Sequence, residues 1–90
     1  MANPPKMPDG GQAEIDFLRT ELHTGLTMAK IASSAEHQDK FDRNRINSRK
    51  AYDAVLYFLK KTTLTQSEAE EIRDLLKQLK SALVGLGEEL

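Results

Sequence analysis

From Ile15 onward the chain repeats apolar or small positions at alternating steps of three and four. Ile15, Leu18, Leu22, Gly25, Ala29 and Ala32 follow this rhythm, which stacks them on one face of a helix. The spacing predicts a first helix over about 12–36. A second stripe runs through Phe41, Ser48, Ala51, Val55 and Phe58, widened by Tyr52 and Leu59, and predicts a helix over about 39–61. Ile72, Leu76, Leu79, Leu83 and Leu86, with Leu75 and Ala82 beside them, predict a third over about 65–87.

The boundaries carry their own chemistry. Pro4, Pro5, Pro8, Gly10 and Gly11 crowd the start of the chain. Proline lacks the backbone donor and glycine has the largest backbone entropy to lose, so residues 1–11 read as a flexible tail. After Gly11 there is no proline, and glycine returns only at Gly25, Gly85 and Gly87. Thr65 followed by Glu68 fits a capping box, in which hydroxyl and carboxylate satisfy each other's free backbone donors. Gly85 and Gly87 offer a left-handed stop to the third helix. Short connections around His37 and across Thr62 to Leu64 turn each helix back on its predecessor. The expectation is all-α: one three-helix, up-down-up antiparallel bundle over 12–90 behind the tail.

Composition narrows the chemistry further. Among ninety residues there is no cysteine, which removes disulfide staples, thiolate metal sites and a cysteine nucleophile together. The N-terminal residues show neither a signal-peptide core nor an Arg-rich transit pattern, and charges interrupt every apolar run, so the expected setting is cytoplasmic with no membrane partner. His23 and His37 are the only histidines and neither has a second histidine at ligand spacing. No GxGxxG, no phosphate-binding loop and no Glu-x-x-His pair occurs. Glu70 and Glu71 fall in the first turn of the third helix, where the helix dipole accounts for them. The sequence therefore predicts no catalytic residue, no metal and no cofactor, and the chain reads as not an enzyme.

Net charge is −1, but its distribution is uneven. Residues 36–61 carry seven basic and four acidic groups, whereas residues 62–90 carry three and six. Arg43, Arg45, Arg49 and Lys50 concentrate the positive charge on the second helix. Most simply they form a solvated face paired with the acidic third helix. Alternatively, Arg45 and Arg49, one turn apart, form a clamp for an acidic peptide or a carboxylate-bearing tail. The same four residues would serve phosphate contacts if the chain bound nucleic acid, a reading opposed by the net charge.

Two further patterns bear on surfaces. Asn44 and Ser48 project with the apolar stripe of helix two, opposite the small residues of helix one, and are expected to fix the register of that hairpin through hydrogen bonds. Helix one also carries a second line at Phe17, Thr24, Met28, Ile31 and Ala35, and helix two points Ile46 and Tyr57 away from its own stripe. Phe17, Met28, Ile31, Ile46 and Tyr57 are thus the candidate self-association surface, because monomers seldom expose contiguous apolar patches. A homodimer is one expected partner arrangement. The innocent alternative is a third helix that packs obliquely and covers the second line.

The run Ala51-Tyr52-Asp53-Ala54-Val55-Leu56-Tyr57-Phe58-Leu59, after the small-residue face of Gly25, Ala29 and Ala32, resembles tetratricopeptide-type helical packing. The three-helix layout is similar to microtubule-interacting-and-trafficking domains, and the segments at 43–47 and 64–69 resemble those of small bacterial helical proteins. These resemblances imply a helical fold and, for the trafficking domains, binding of partner peptides; they transfer no individual binding residue. The reading is a small helical protein–protein interaction or self-association module, with a nucleic-acid-binding accessory protein as the alternative.

Overall fold

A computed structural model describes residues 10–90, with side chains from Gln12 onward. The described residues form three helices, α1 (Gly10–Ser33), α2 (Gln38–Leu59) and α3 (Gln66–Gly85), joined by short connections and with no strand. The architecture is the all-α three-helix bundle. Of the tail expected over 1–11, residues 1–9 lie outside the described residues, while Gly10 and Gly11 already belong to α1.

All six positions of the first stripe of α1 are buried. Ile15, Leu18 and Leu22 meet Tyr52 and Val55 of α2 and Ile72, Leu79 and Leu83 of α3 in one core cluster. α1 is the hub: its longest interface is with α2, a shorter one holds α3, and α2 and α3 touch least.

The helices approach one another closely at Gly25. A methyl group there would lie 2.8 Å from Leu79 Cδ2 and 3.2 Å from Ala51 Cβ. Because no side chain separates the backbones, the buried Ser48 hydroxyl reaches across to donate to the Gly25 carbonyl at 2.8 Å. The hydroxyl is satisfied without water, and a shift of α2 by one residue breaks the bond. Ser48 thus takes the register role expected of it.

Asn44 does not share that role. It is half-buried, and its Nδ2 donates to the Lys40 carbonyl of its own helix at 2.9 Å. Phe58 departs in the same direction. The buried arc of α2 centres on Ser48, Tyr52, Val55 and Leu59, and Phe58 lies roughly 80° from Ser48 by helical projection. It is 41% exposed instead of being part of the core.

Side-chain chemistry sets the helix ends. α1 ends at Ser33, where the Ser33 and Ser34 hydroxyls bond back to the carbonyls of Lys30 and Ile31 and help satisfy acceptors at the helix end. The capping box at the start of α3 is formed: Thr65 Oγ1 accepts from the Glu68 N–H at 3.1 Å, and Glu68 Oε1 accepts from the Thr65 N–H at 3.0 Å. At its end, the Gly87 N–H bonds to the Val84 carbonyl and the Glu88 N–H to the Leu83 carbonyl. With Gly87 at φ +99°, these two bonds make a Schellman motif, whose left-handed position is strained for a residue that carries a Cβ.

Candidate functional site

Two surface features emerge from this framework, at opposite ends of the α1–α2 hairpin. The first follows from the turn at Gly87. Having reversed the chain there, the Schellman motif delivers Glu88 to α2, where Arg45 and Arg49 stand one turn apart. Arg49 Nη1 donates to Glu88 Oε1 at 2.7 Å and Arg45 Nη1 donates to the other carboxylate oxygen. The Glu88 side chain is only 11% exposed. Arg45 is steadied by Asp42 and Arg49 by Asp53, each from within the same helix.

Hydrogen bonds from Arg49, then from Arg45, hold the Glu88 carboxyl below its ordinary range; its partial burial acts the other way. Arg49 is raised in turn, first by Glu88 and then by Asp53. Arg45 and Arg49 thus hold a carboxylate of this chain, that of Glu88 just beyond α3. Arg43 and Lys50, the other two candidate partner-binding residues, are exposed and stand outside the clamp. A comparable pair ties α1 to α3: Arg19 meets Glu71 through Nε at 2.7 Å and Nη2 at 2.8 Å, lowering the Glu71 carboxyl. Here Glu71 acts as an inter-helix partner, beyond its place near the start of α3.

The second feature is aromatic. Phe17 of α1 packs edge-on against Phe58 of α2 with ring centroids 5.1 Å apart, and Phe58 meets Tyr57 at 4.9 Å, nearly perpendicular. All three remain in contact with solvent, at 40%, 41% and 55% exposure for Phe17, Phe58 and Tyr57. Edge-to-face geometry satisfies the ring quadrupoles, a contact worth about 0.5–1.5 kcal/mol per pair beyond the area buried. Lys61 folds over Tyr57, with Nζ 4.4 Å from the ring centre and 2.9 Å from the phenol oxygen. Beside the rings an open groove of about 350 Å³ is lined by Ala13, Glu14, Phe17, Phe58, Lys61 and Thr62.

Of the five residues expected to form one self-association surface, Phe17 and Tyr57 are linked through Phe58. Met28 and Ile31 are half-buried on α1. Ile46 is 44% exposed but stands eleven residues before Tyr57 on the same helix, about 16 Å along its axis. Phe17 is met by Phe58 of α2 and stays 40% exposed. The sequence stripe hid Phe58 because a residue at the edge of a buried arc reads as core until the neighbouring helix is placed.

Among the described residues no group of three or more His, Asp or Glu side chains is placed to hold a metal ion. None of the described helices is long and apolar enough to cross a membrane. Comparison with known protein families, with curated proteins and with solved structures finds no match for this chain.

Proposed function

We propose that this chain is a small helical protein-interaction module, and that the Phe17–Phe58–Tyr57 face is its contact surface for an apolar peptide segment. The observation carrying this reading is the cluster of three mutually packed, partly exposed rings beside a groove. Aromatic rings in fixed orientation supply large contact area at little entropy cost, which is why they recur as binding anchors. Glu14 and Lys61 at the groove rim add one charge of each sign for orientation. The basic stretch of α2 is the weaker candidate, since Arg45 and Arg49 already spend their donors on Glu88.

Selection from a random displayed-peptide library tests the reading. Peptides that bind the wild-type chain are expected to lose most of their signal on Phe17→Ala and Phe58→Ala variants that keep the helical spectrum. A selection yielding no binder that depends on those rings would overturn it. Sedimentation at micromolar concentration gives a second readout: self-association abolished by Tyr57→Lys would assign the same face to a second copy.

A further inference from the structure

The aromatic face is one end of a longer surface. Glu14, Phe17, Glu21, Thr24 and Met28 follow one another along α1 at steps of three and four, and Lys50, Ala54, Tyr57 and Lys61 do the same from α2 into the turn after it; all are exposed or half-buried. By helical projection these two stripes lie roughly 120° from Leu22 and Val55, which belong to the core. They stand side by side because α2 runs antiparallel to α1: Glu14 and Phe17 share a groove with Lys61 and Phe58, and farther along Gly25 meets Ser48 and Ala51. We infer that this surface seats a second copy of the chain, whose own α1–α2 hairpin it receives in a twofold-symmetric dimer. The inference rests on the preceding reading of the aromatic face as a contact surface and names its partner.

Charge selects this partner. On the shared surface α1 carries the acids, Glu14 and Glu21, and the α2 side carries the bases, Lys50 and Lys61. A twofold axis running along the seam between the helices sets α1 of each copy against α2 of the other. Glu14 then meets the second copy's Lys61 at the same level. Glu21, one turn beyond Phe17, comes level with Ala54 and one turn from Lys50, and symmetry repeats each pair. Phe17 meets Phe58 across the same axis, covering rings that are 40% and 41% exposed in the single chain. Among the described residues none of these four charges is ion-paired, whereas Arg19, Arg45 and Arg49 all are. The result is a four-helix arrangement in which every neighbour is antiparallel. Its size is sufficient as well. From Ala13 to Ser33 the hairpin runs about 30 Å and two helices span about 20 Å, roughly 600 Å² per copy, where specific interfaces begin at ~600–1,000 Å² per partner.

Sedimentation of the full chain from micromolar to millimolar concentration is expected to show a dimer. Glu14→Lys with Glu21→Lys makes the whole surface basic, and Lys50→Glu with Lys61→Glu makes it acidic. Each variant alone is expected to lose self-affinity by about tenfold or more, because like charges then face each other. Mixed together, the two restore opposite charge at every pair and are expected to form a heterodimer as tight as the wild-type dimer. A strictly monomeric wild type, a dimer indifferent to both reversals, or a mixture that recovers no affinity would overturn the inference. Because the chain has no cysteine, a nitroxide at Ala13→Cys on one copy gives a readout with all four charges in place. It is expected to broaden the Lys61 and Thr62 amides of an isotope-labelled second copy; no broadening between copies, or broadening confined to α3, would also overturn it. If the chain is monomeric while ring-dependent peptides are still selected, the interaction-module reading stands alone; if neither is seen, both fall.

Discussion

Replacing Gly25 with alanine is the sharpest probe of how the three helices meet. The new methyl would sit 2.8 Å and 3.3 Å from the two terminal carbons of Leu79 and 3.2 Å from Ala51 Cβ, against a comfortable carbon–carbon separation of about 3.5–4.0 Å. The Leu79 tip can rotate only at the expense of its own packing, since it is fully buried. Ala51 Cβ has no rotamer to change, so α2 must retreat by a few tenths of an ångström and stretch the Ser48–Gly25 bond. Overpacking of this kind costs about 1–3 kcal/mol, partly offset by the gain of about 1 kcal/mol that alanine brings to a helix interior. The net expectation runs from near zero to about 2 kcal/mol of destabilisation.

Gly85 provides the control, because a methyl there meets nothing within 4 Å. Gly85→Ala is expected to stabilise by up to about 1 kcal/mol. The difference between the two variants largely cancels the propensity gain and leaves the crowding, about 1–3 kcal/mol, or roughly 4–8 °C in melting temperature per kcal/mol for a domain of this size. Urea and thermal unfolding followed by circular dichroism at the helical minimum measure it. If Gly25→Ala proves as stable as Gly85→Ala, the close approach at Gly25 does not govern the packing and the account of the junction is wrong.

Other predictions are independent of Gly25. Thr65→Ala removes the hydroxyl that accepts from Glu68 and should cost about 1 kcal/mol in urea titration. Leu79→Ala, at a fully buried site, should cost ~2–5 kcal/mol, a large share of the stability expected at ~0.05–0.15 kcal/mol per residue; a fall of well over ten degrees in melting temperature is the expected result. The Glu88 carboxyl is lowered in the folded chain relative to its ordinary 4.5, so its contribution is complete above that value and is lost as pH falls through the lower folded pKa. Glu88→Gln should therefore melt a few degrees below wild type at neutral pH, and the gap should close as acidification carries the Glu88 carboxyl through its lowered folded pKa; a gap that does not change on acidification would show that the ion pairs with Arg45 and Arg49 contribute nothing.

The parts of the fold legible in the sequence are those decided locally or by a strict period. The α1 stripe and the α3 stripe each keep one rhythm, and their central residues are buried. The Thr65–Glu68 box and the Gly87 turn are written in adjacent residues, and both form. The rotation of α2 was harder, because Phe41, Ser48, Ala51, Tyr52, Val55, Phe58 and Leu59 span too wide an arc for periodicity to choose its centre. Only the positions of α1 and α3 select the Ser48–Val55 side and leave Phe58 beside Phe17. The partners Glu88 for Arg45 and Arg49, and Glu71 for Arg19, join residues far apart in the chain. The charge asymmetry between 36–61 and 62–90 pointed toward such pairing without naming the residue. The aromatic face shows the same division: Phe17 and Tyr57 stood out singly, and the ring linking them did not.

The unequal interfaces around α1 have a mechanical consequence. With its weakest attachment along α2, α3 is the element that detaches first when the domain opens, while the α1–α2 hairpin keeps its longer seam. Amide hydrogens of Leu75 and Leu76 should then trade with deuterium sooner than those of Leu18 and Leu22, and the sealing turn at Gly87 becomes the latch whose release begins the process.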